Sequence, residues 1–163
     1  MPTTFSVISL GILPDLDTTE SNPTAENANN LLGTTVGSPG GPISDNIQAF
    51  APGSTGFSGG TSTAYDTDQT TSAETFTIDG GPDQAIDSTA IYNATLTYAD
   101  GTTDTISAVI FQDVNGNTYL APELSANSDQ AALEAKPIES ITFESVSDVE
   151  ANLEGDRMIA DFL

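Results

Sequence analysis

The clearest pattern in the chain lies between residues 92 and 98. There Tyr92, Ala94, Leu96 and Tyr98 alternate with Asn93, Thr95 and Thr97. A period of two sends successive side chains to opposite faces, so this segment predicts a half-buried strand with one polar face. Asp100-Gly101 follows as a strong hairpin turn. The return segment TISAVIFQ sets Ile106, Ala108 and Ile110 on one side and Val109 and Phe111 on the other, which predicts burial on both faces. Asn115-Gly116 predicts a second hairpin into Thr118–Ala121.

Upstream, the apolar, β-branched run Phe5–Leu13 ends at Pro14 and predicts a buried strand. Ala25–Leu32 suggests a short helix capped by Thr24 and closed by Gly33. Residues 33–63 are rich in Gly, Pro and Ser and read as a loop region, with short extended pieces around Ile43–Phe50. Glu74–Asp79 has strand composition and runs into the turn Gly80-Gly81-Pro82. Gln130–Ala135 suggests one helical turn closed by Pro137, and Ile138–Val146 and Arg157–Leu163 are the last strand candidates.

Many short strands separated by turns predict an all-β fold, a β-sandwich or jelly-roll-like single domain over residues 1–163 with one or two short helices. The segment 1–13 is a candidate for exchange with a neighbouring copy, because an apolar strand can complete another sheet. No repeat of 20–50 residues and no tandem glycine-aspartate array argues for a solenoid.

Composition narrows the chemistry. The 163 residues carry 24 acids against two cations, Lys136 and Arg157, for a formal net charge of −22. Two cations cannot replace the counterions of a nucleic acid, and anionic membranes and phosphorylated ligands are disfavoured on the same ground. Like charge at this density opposes compaction unless salt or divalent cations screen it, which points to an extracellular medium. Hydrophobic residues make up 37% of the chain and charged ones only 16%, so a folded, Thr- and Ser-rich domain is expected rather than disorder. No segment reaches the length of an apolar membrane span, and the N-terminus lacks the basic stretch of a signal peptide. Export would then rely on a signal elsewhere or one already removed.

The absence of histidine and cysteine removes Ser-His-Asp and Cys-His catalysis and His/Cys zinc sites. The lone lysine, in EAKPIE, does not belong to a phosphate-binding loop. Carboxylate pairs such as Asp15/Asp17 and Asp66/Asp68 leave a glycosidase or lyase as one alternative.

Calcium is the better use of these oxygens, since it takes six to eight of them from Asp, Asn and carbonyl groups. Asp113, Asn115 and Asn117 alternate around Gly116, and Asp15, Asp17 and Glu20 form a second candidate set, with Asp66 and Asp68 a third. A plain hairpin turn or a solvated acidic loop is the competing reading of each. Tyr65, Tyr92, Tyr98 and Tyr119 are candidate ligand-facing aromatics, with Tyr92 and Tyr98 in phase for core packing. Asn93-Ala94-Thr95 matches the N-glycosylation pattern but falls inside an expected strand.

The stretches FSVISLGILPDLDTTESNPTAENANNLLGTT, FAPGSTGFSGGTSTAYD and YNATLTYADGTTDTISAVIFQDVNGNTYLAPE together resemble the N-terminal domain of Hint-domain (hedgehog/intein-type) proteins of marine alphaproteobacteria. That resemblance spans nearly the whole chain and rests on general phrasing, not on a catalytic motif. It implies a domain preceding a self-processing module whose first residue is a nucleophilic cysteine. The end at Ala160-Asp161-Phe162-Leu163 would then mark a cleavage point, or an acidic–apolar tail resembling a type I secretion signal. None of the self-cleaving residues is present, so that activity does not carry over.

The sequence therefore leads to a secreted, non-enzymatic surface module that assembles with itself into fibres or layers, with calcium as the stabilising cation. A calcium-assisted carbohydrate-binding or adhesive domain is the alternative, with an extracellular glycan as partner.

Overall fold

The alternating segment of residues 92–98 is the far half of a much longer strand, and the rest of the fold is arranged around it. The computed structural model describes residues 4–18, 24–55, 64–65, 74–149, 153–154 and 162. Its strands are β1 (Phe5–Ile12), β2 (Thr35–Val36), β3 (Ile47–Pro52), β4 (Ala64–Tyr65), β5 (Thr75–Ile78), β6 (Gln84–Tyr98), β7 (Thr103–Asp113), β8 (Asn117–Ala121), β9 (Ile138–Asp148) and β10 (Leu153–Glu154). One α-helix, α1 (Ser128–Glu134), and two 3₁₀ turns at Ala28–Leu31 and Ile43–Asn46 complete the elements. All pairings are antiparallel.

The sheet closes on itself. β6, β5, β3, β1, β8 and β7 pair in that order, and β7 returns to β6. Closure has a local cause in β6, whose 15 residues are long enough to serve two partners along one edge. Gln84 and Ala85 face β5, whereas Ile91–Tyr98 face β9. A bulge between Ile86 and Ser88 separates the two halves and turns the strand.

The ring is filled by aromatic side chains. Phe50 of β3 stacks on Phe5 of β1 and Phe76 of β5, with centroids 4.4 and 5.2 Å away. Phe111 of β7 meets Phe50 and Phe76 edge-on at 5.6 and 5.5 Å, and Tyr119 of β8 meets Phe76 at 5.8 Å. None of these last three contacts joins paired strands, so the rings cross the interior and fill it. Tyr65 of β4 adds an edge contact to Phe50 at 5.8 Å, and Leu153 of β10 belongs to the same cluster.

A second core lies outside the ring, which is why TISAVIFQ and FSVISL are apolar on both faces. Phe5 and Val7 point inward, while Ile8 and Leu10 point outward to join Ile106, Ala108, Ile110 and the even-numbered face of β6. This outer layer is covered by Leu16, Ala25, Ala28, Leu31 and Ile43 from the segment after β1, and by Ala132 and Leu133 of α1. Two tyrosines pin the cover: the Tyr92 hydroxyl donates to the Ala28 carbonyl at 2.8 Å, and the Tyr98 hydroxyl to the Ala132 carbonyl at 2.7 Å. Burial raises both hydroxyls above their usual pKa, so they remain donors.

The sheet's edges are also occupied. Beyond β2, the free side of β9 is met by Gly33, which donates to Phe143 at 2.8 Å, and by Ala25, which donates to Val149 at 2.7 Å. Gly37 lets β2 come this close. Its φ is +101°, and a Cβ there would collide with the Glu139 carbonyl oxygen. On β7, α1 closes the edge through Asp129, which accepts the Ser107 N–H at 3.3 Å.

The all-β single domain expected from the turn spacing is present. Several details differ. β1 pairs with β3 on one side and β8 on the other, and ends at Ile12 where the sequence suggested Leu13. The loop region 33–63 supplies β2 and β3, including the fully buried Phe50. Ala25–Leu32 forms only a 3₁₀ turn, with Asn27 rather than Thr24 at its N-cap. Asn29 and Asn30 compete for backbone hydrogen bonds, and the stretch is too short to sustain an α-helix without them. The Gly80-Gly81-Pro82 turn sits one residue earlier, with Asp79 and Gly80 at φ of +53° and +71°. The strand expected over Arg157–Leu163 lies outside the described residues, except for Phe162, which is half-buried against the outer core.

Candidate functional site

The far half of β6 leaves the ring and runs between β7 and β9, keeping its even-numbered face buried and its odd-numbered face open. Register then fixes what the open face displays. Asn93 stands opposite Ser107 on β7 and Ser145 on β9. Thr95 stands opposite Thr105 and Thr142, and Thr142 in turn opposite Thr35 on β2. Thr97 stands opposite Thr103 and Ser140. The face is thus a set of cross-strand rows of hydroxyl and amide side chains.

At one end of this face is an open groove of about 410 Å³ lined by Asn93, Thr105, Ser107, Asp129 and Glu144. The wall residues come from four elements, β6, β7, β9 and α1. The Asn93 side-chain amide donates to Ser145 Oγ at 2.8 Å, leaving its oxygen toward solvent. Thr95 Oγ1 donates to Glu144 Oε1 at 3.3 Å, so one carboxylate oxygen of the exposed Glu144 is engaged. Asp129 is set by the first turn of α1, whose N-cap Asn127 accepts the Gln130 N–H at 2.8 Å. Among the described residues, the Thr105 and Ser107 hydroxyls take no side-chain partner, which leaves them as donors and acceptors. The groove therefore offers carboxylate, amide and hydroxyl groups, a set that matches the hydroxyls of a polar, uncharged ligand.

The calcium candidates are put to other uses. Asp113 is buried, and four donors converge on its carboxylate: the Asn115 and Asn117 N–H groups at 2.9 and 2.8 Å, the Asn117 side-chain amide at 2.8 Å, and Gln84 Nε2 at 2.9 Å. That is the hairpin-turn arrangement, with Gly116 alone taking positive φ (+86°) in the turn. Gln112, also buried, reaches across to the segment after β1. It accepts the Leu16 N–H at 3.0 Å and donates to the Pro14 carbonyl at 3.0 Å. This clamp brings the two expected calcium loops side by side, and Leu13 donates to the Gly116 carbonyl at 3.1 Å. Asp15 is exposed and accepts the Asp17 N–H at 3.1 Å, whereas Asp17 is buried. Glu20, Asp66 and Asp68 lie outside the described residues. Among the described residues, no group of three or more acidic side chains is placed to hold a metal ion.

The tyrosines are structural. Tyr65, Tyr92, Tyr98 and Tyr119 are all buried, and Tyr119 accepts a hydrogen bond from Gln84 Nε2 at 2.8 Å. The one ion pair among the described residues joins Lys136 to Asp100 at 2.9 Å, at the tip of the β6–β7 hairpin. The Thr102 hydroxyl and amide, with Lys136, hold the Asp100 carboxyl well below the usual range.

Sequence reasoning missed Asp129, Glu144, Thr105 and Ser107 as groove residues. The one available signal was the polar phase of the 92–98 alternation, which marks Asn93 and Thr95 as facing out. No described helix is long and apolar enough to cross a membrane. No protein family, curated protein or solved structure matches this chain.

Proposed function

We propose that this chain is a non-enzymatic, extracellular recognition module that binds neutral carbohydrate on the outer face of β6, β7 and β9. The observation that carries this reading is the groove in which Asn93, Thr105, Ser107, Asp129 and Glu144 converge. Sugar hydroxyls both donate and accept, and this side-chain set meets both needs. The net charge of −22 selects against anionic polymers, which leaves neutral ones. Glu144 is exposed and accepts a hydrogen bond from the Thr95 hydroxyl, so it is placed to bond a ligand at the surface and not to act in an enclosed cleft. That supports binding over glycoside hydrolysis.

The groove favours recognition of a ligand over self-assembly as the first reading, and β1 pairs with β3 and β8 within the chain. Calcium enters this proposal as a screening and bridging cation of the acidic surface. The resemblance to domains that precede self-processing modules is compatible with an adhesive part of a longer protein.

A glycan array probed with fluorescent protein, once with calcium and once with chelator, tests the reading. Retention of neutral glycans with anionic ones empty is the expected result. Silence in both arms would overturn it.

A further inference from the structure

The threonine row beside the groove carries information about the ligand's shape. Thr105, Thr95, Thr142 and Thr35 are register partners on four successive strands, β7, β6, β9 and β2. Thr105 also lines the groove, so the row begins there and ends at the exposed Thr35. Paired strands sit about 4.8 Å apart, so the row spans roughly 14 Å in a direction perpendicular to the strands. Alongside it, Thr103 and Thr97 are register partners on β7 and β6, next to the buried Ser140 of β9. Each threonine presents a hydroxyl and a methyl group, and the Thr35 and Thr142 hydroxyls are already bonded to one another at 2.7 Å.

A single sugar ring fills a groove and has no use for evenly spaced groups leading away from it. A ligand that repeats its own hydroxyls does. The row crosses the strands one residue per strand, which suits an extended ribbon better than a coiled chain. The carboxylates of the groove, Glu144 and Asp129, lie at the Thr105 end of the row, where Asp104 also accepts the Thr105 N–H at 2.8 Å. From these placements we infer that the ligand is a linear, neutral, ribbon-like polysaccharide bound lengthwise across the strands, anchored in the groove and tracked by the threonine row toward β2. The inference rests on the carbohydrate reading of the groove and adds the ligand's length and direction.

Calorimetric titration of the full chain with glucose, cellobiose and cellohexaose, in salt and calcium, tests both levels separately. Three proteins are compared: the parent chain, Thr35→Val/Thr142→Val, and Asn93→Ala/Glu144→Gln. Valine keeps the methyl surface and the strand preference, so the first variant remains folded, which circular dichroism checks. Cellohexaose should bind the parent roughly tenfold more tightly than cellobiose, from a few added hydrogen bonds. The threonine variant should lose that advantage and keep cellobiose binding unchanged, while the groove variant should lose both sugars. Equal affinity for the two lengths, or a threonine variant that behaves as the parent, would overturn the row and leave the groove standing. Cellobiose and cellohexaose binding untouched in the groove variant would overturn the groove itself, as would failure of all three sugars to bind the parent.

Discussion

The two halves of β6 show the same strand under opposite demands. From Ile86 to Ala90 every residue is buried, with the closed ring on one face and the outer core on the other. From Tyr92 to Tyr98 burial alternates, and the odd-numbered residues open onto the hydroxyl face. The near half has β5 and β7 beside it and aromatic rings beneath it; the far half has β9 and β7 beside it and solvent above. One half makes the domain stable and leaves no room for a ligand. The other contributes little apolar burial on its open side and is free to present chemistry.

The largest way to break this contrast is to empty the ring. Phe111→Ala removes the side chain that touches Phe50, Phe76 and Tyr119, and should cost about 3–5 kcal/mol in urea unfolding. A loss below about 1 kcal/mol would mean that the ring interior does not carry the stability of the fold.

A smaller test sharpens the near half from within. Ser88 and Thr89 are fully buried, and among the described residues neither hydroxyl has a hydrogen-bond partner. Thr89→Val keeps the shape and removes the cost of desolvating a hydroxyl, so it should stabilise by about 1 kcal/mol. Thr95→Val on the far half is the matched control and should change stability by less than about 0.5 kcal/mol. A destabilised Thr89→Val variant would show that the hydroxyl is satisfied in solution.

The smallest expected effect is at the hairpin tip. The folded-state pKa of Asp100 is depressed, so its contribution is present above the ordinary carboxylate range and is lost as pH falls toward the lower folded value. Asp100→Asn should therefore differ slightly from the parent at neutral pH and low salt, and the two should converge on acidification. Asp100 is fully exposed, so salt should shrink the difference as well. A gap that widens in acid would reverse the assignment.

These contrasts show what a one-dimensional pattern can and cannot carry. The far half of β6 was legible because a half-buried strand writes its period directly into residues 92–98. The two-faced burial of Phe5–Leu10 and Ile106–Phe111 was legible for the same reason. Ring closure was not, because Ile8 meets Leu120 and Phe50 meets Phe111, pairs that no local pattern links. β3 was legible only as a short extended piece around Ile43–Phe50, because its glycine- and proline-rich surroundings hid its bounds and its place in the ring. The donors that gather on Asp113 were not legible, because Gln84 reaches it from another strand and the Asn117 contacts depend on the folded turn. The groove was invisible for a related reason. Asn93, Ser107, Asp129 and Glu144 come from four elements and meet through register and the seating of α1.

The position of β1 between β3 and β8 also sets a timetable for the growing chain. One of its partners is complete by Pro52, but the other ends only at Ala121. At roughly 5–20 residues per second, translation leaves the second edge of this apolar strand waiting for about 3–14 seconds. During that interval the apolar residues of Phe5–Leu10 have one sheet edge without its partner. The first strand of this sheet thus gains its second partner only when most of the sheet has been made.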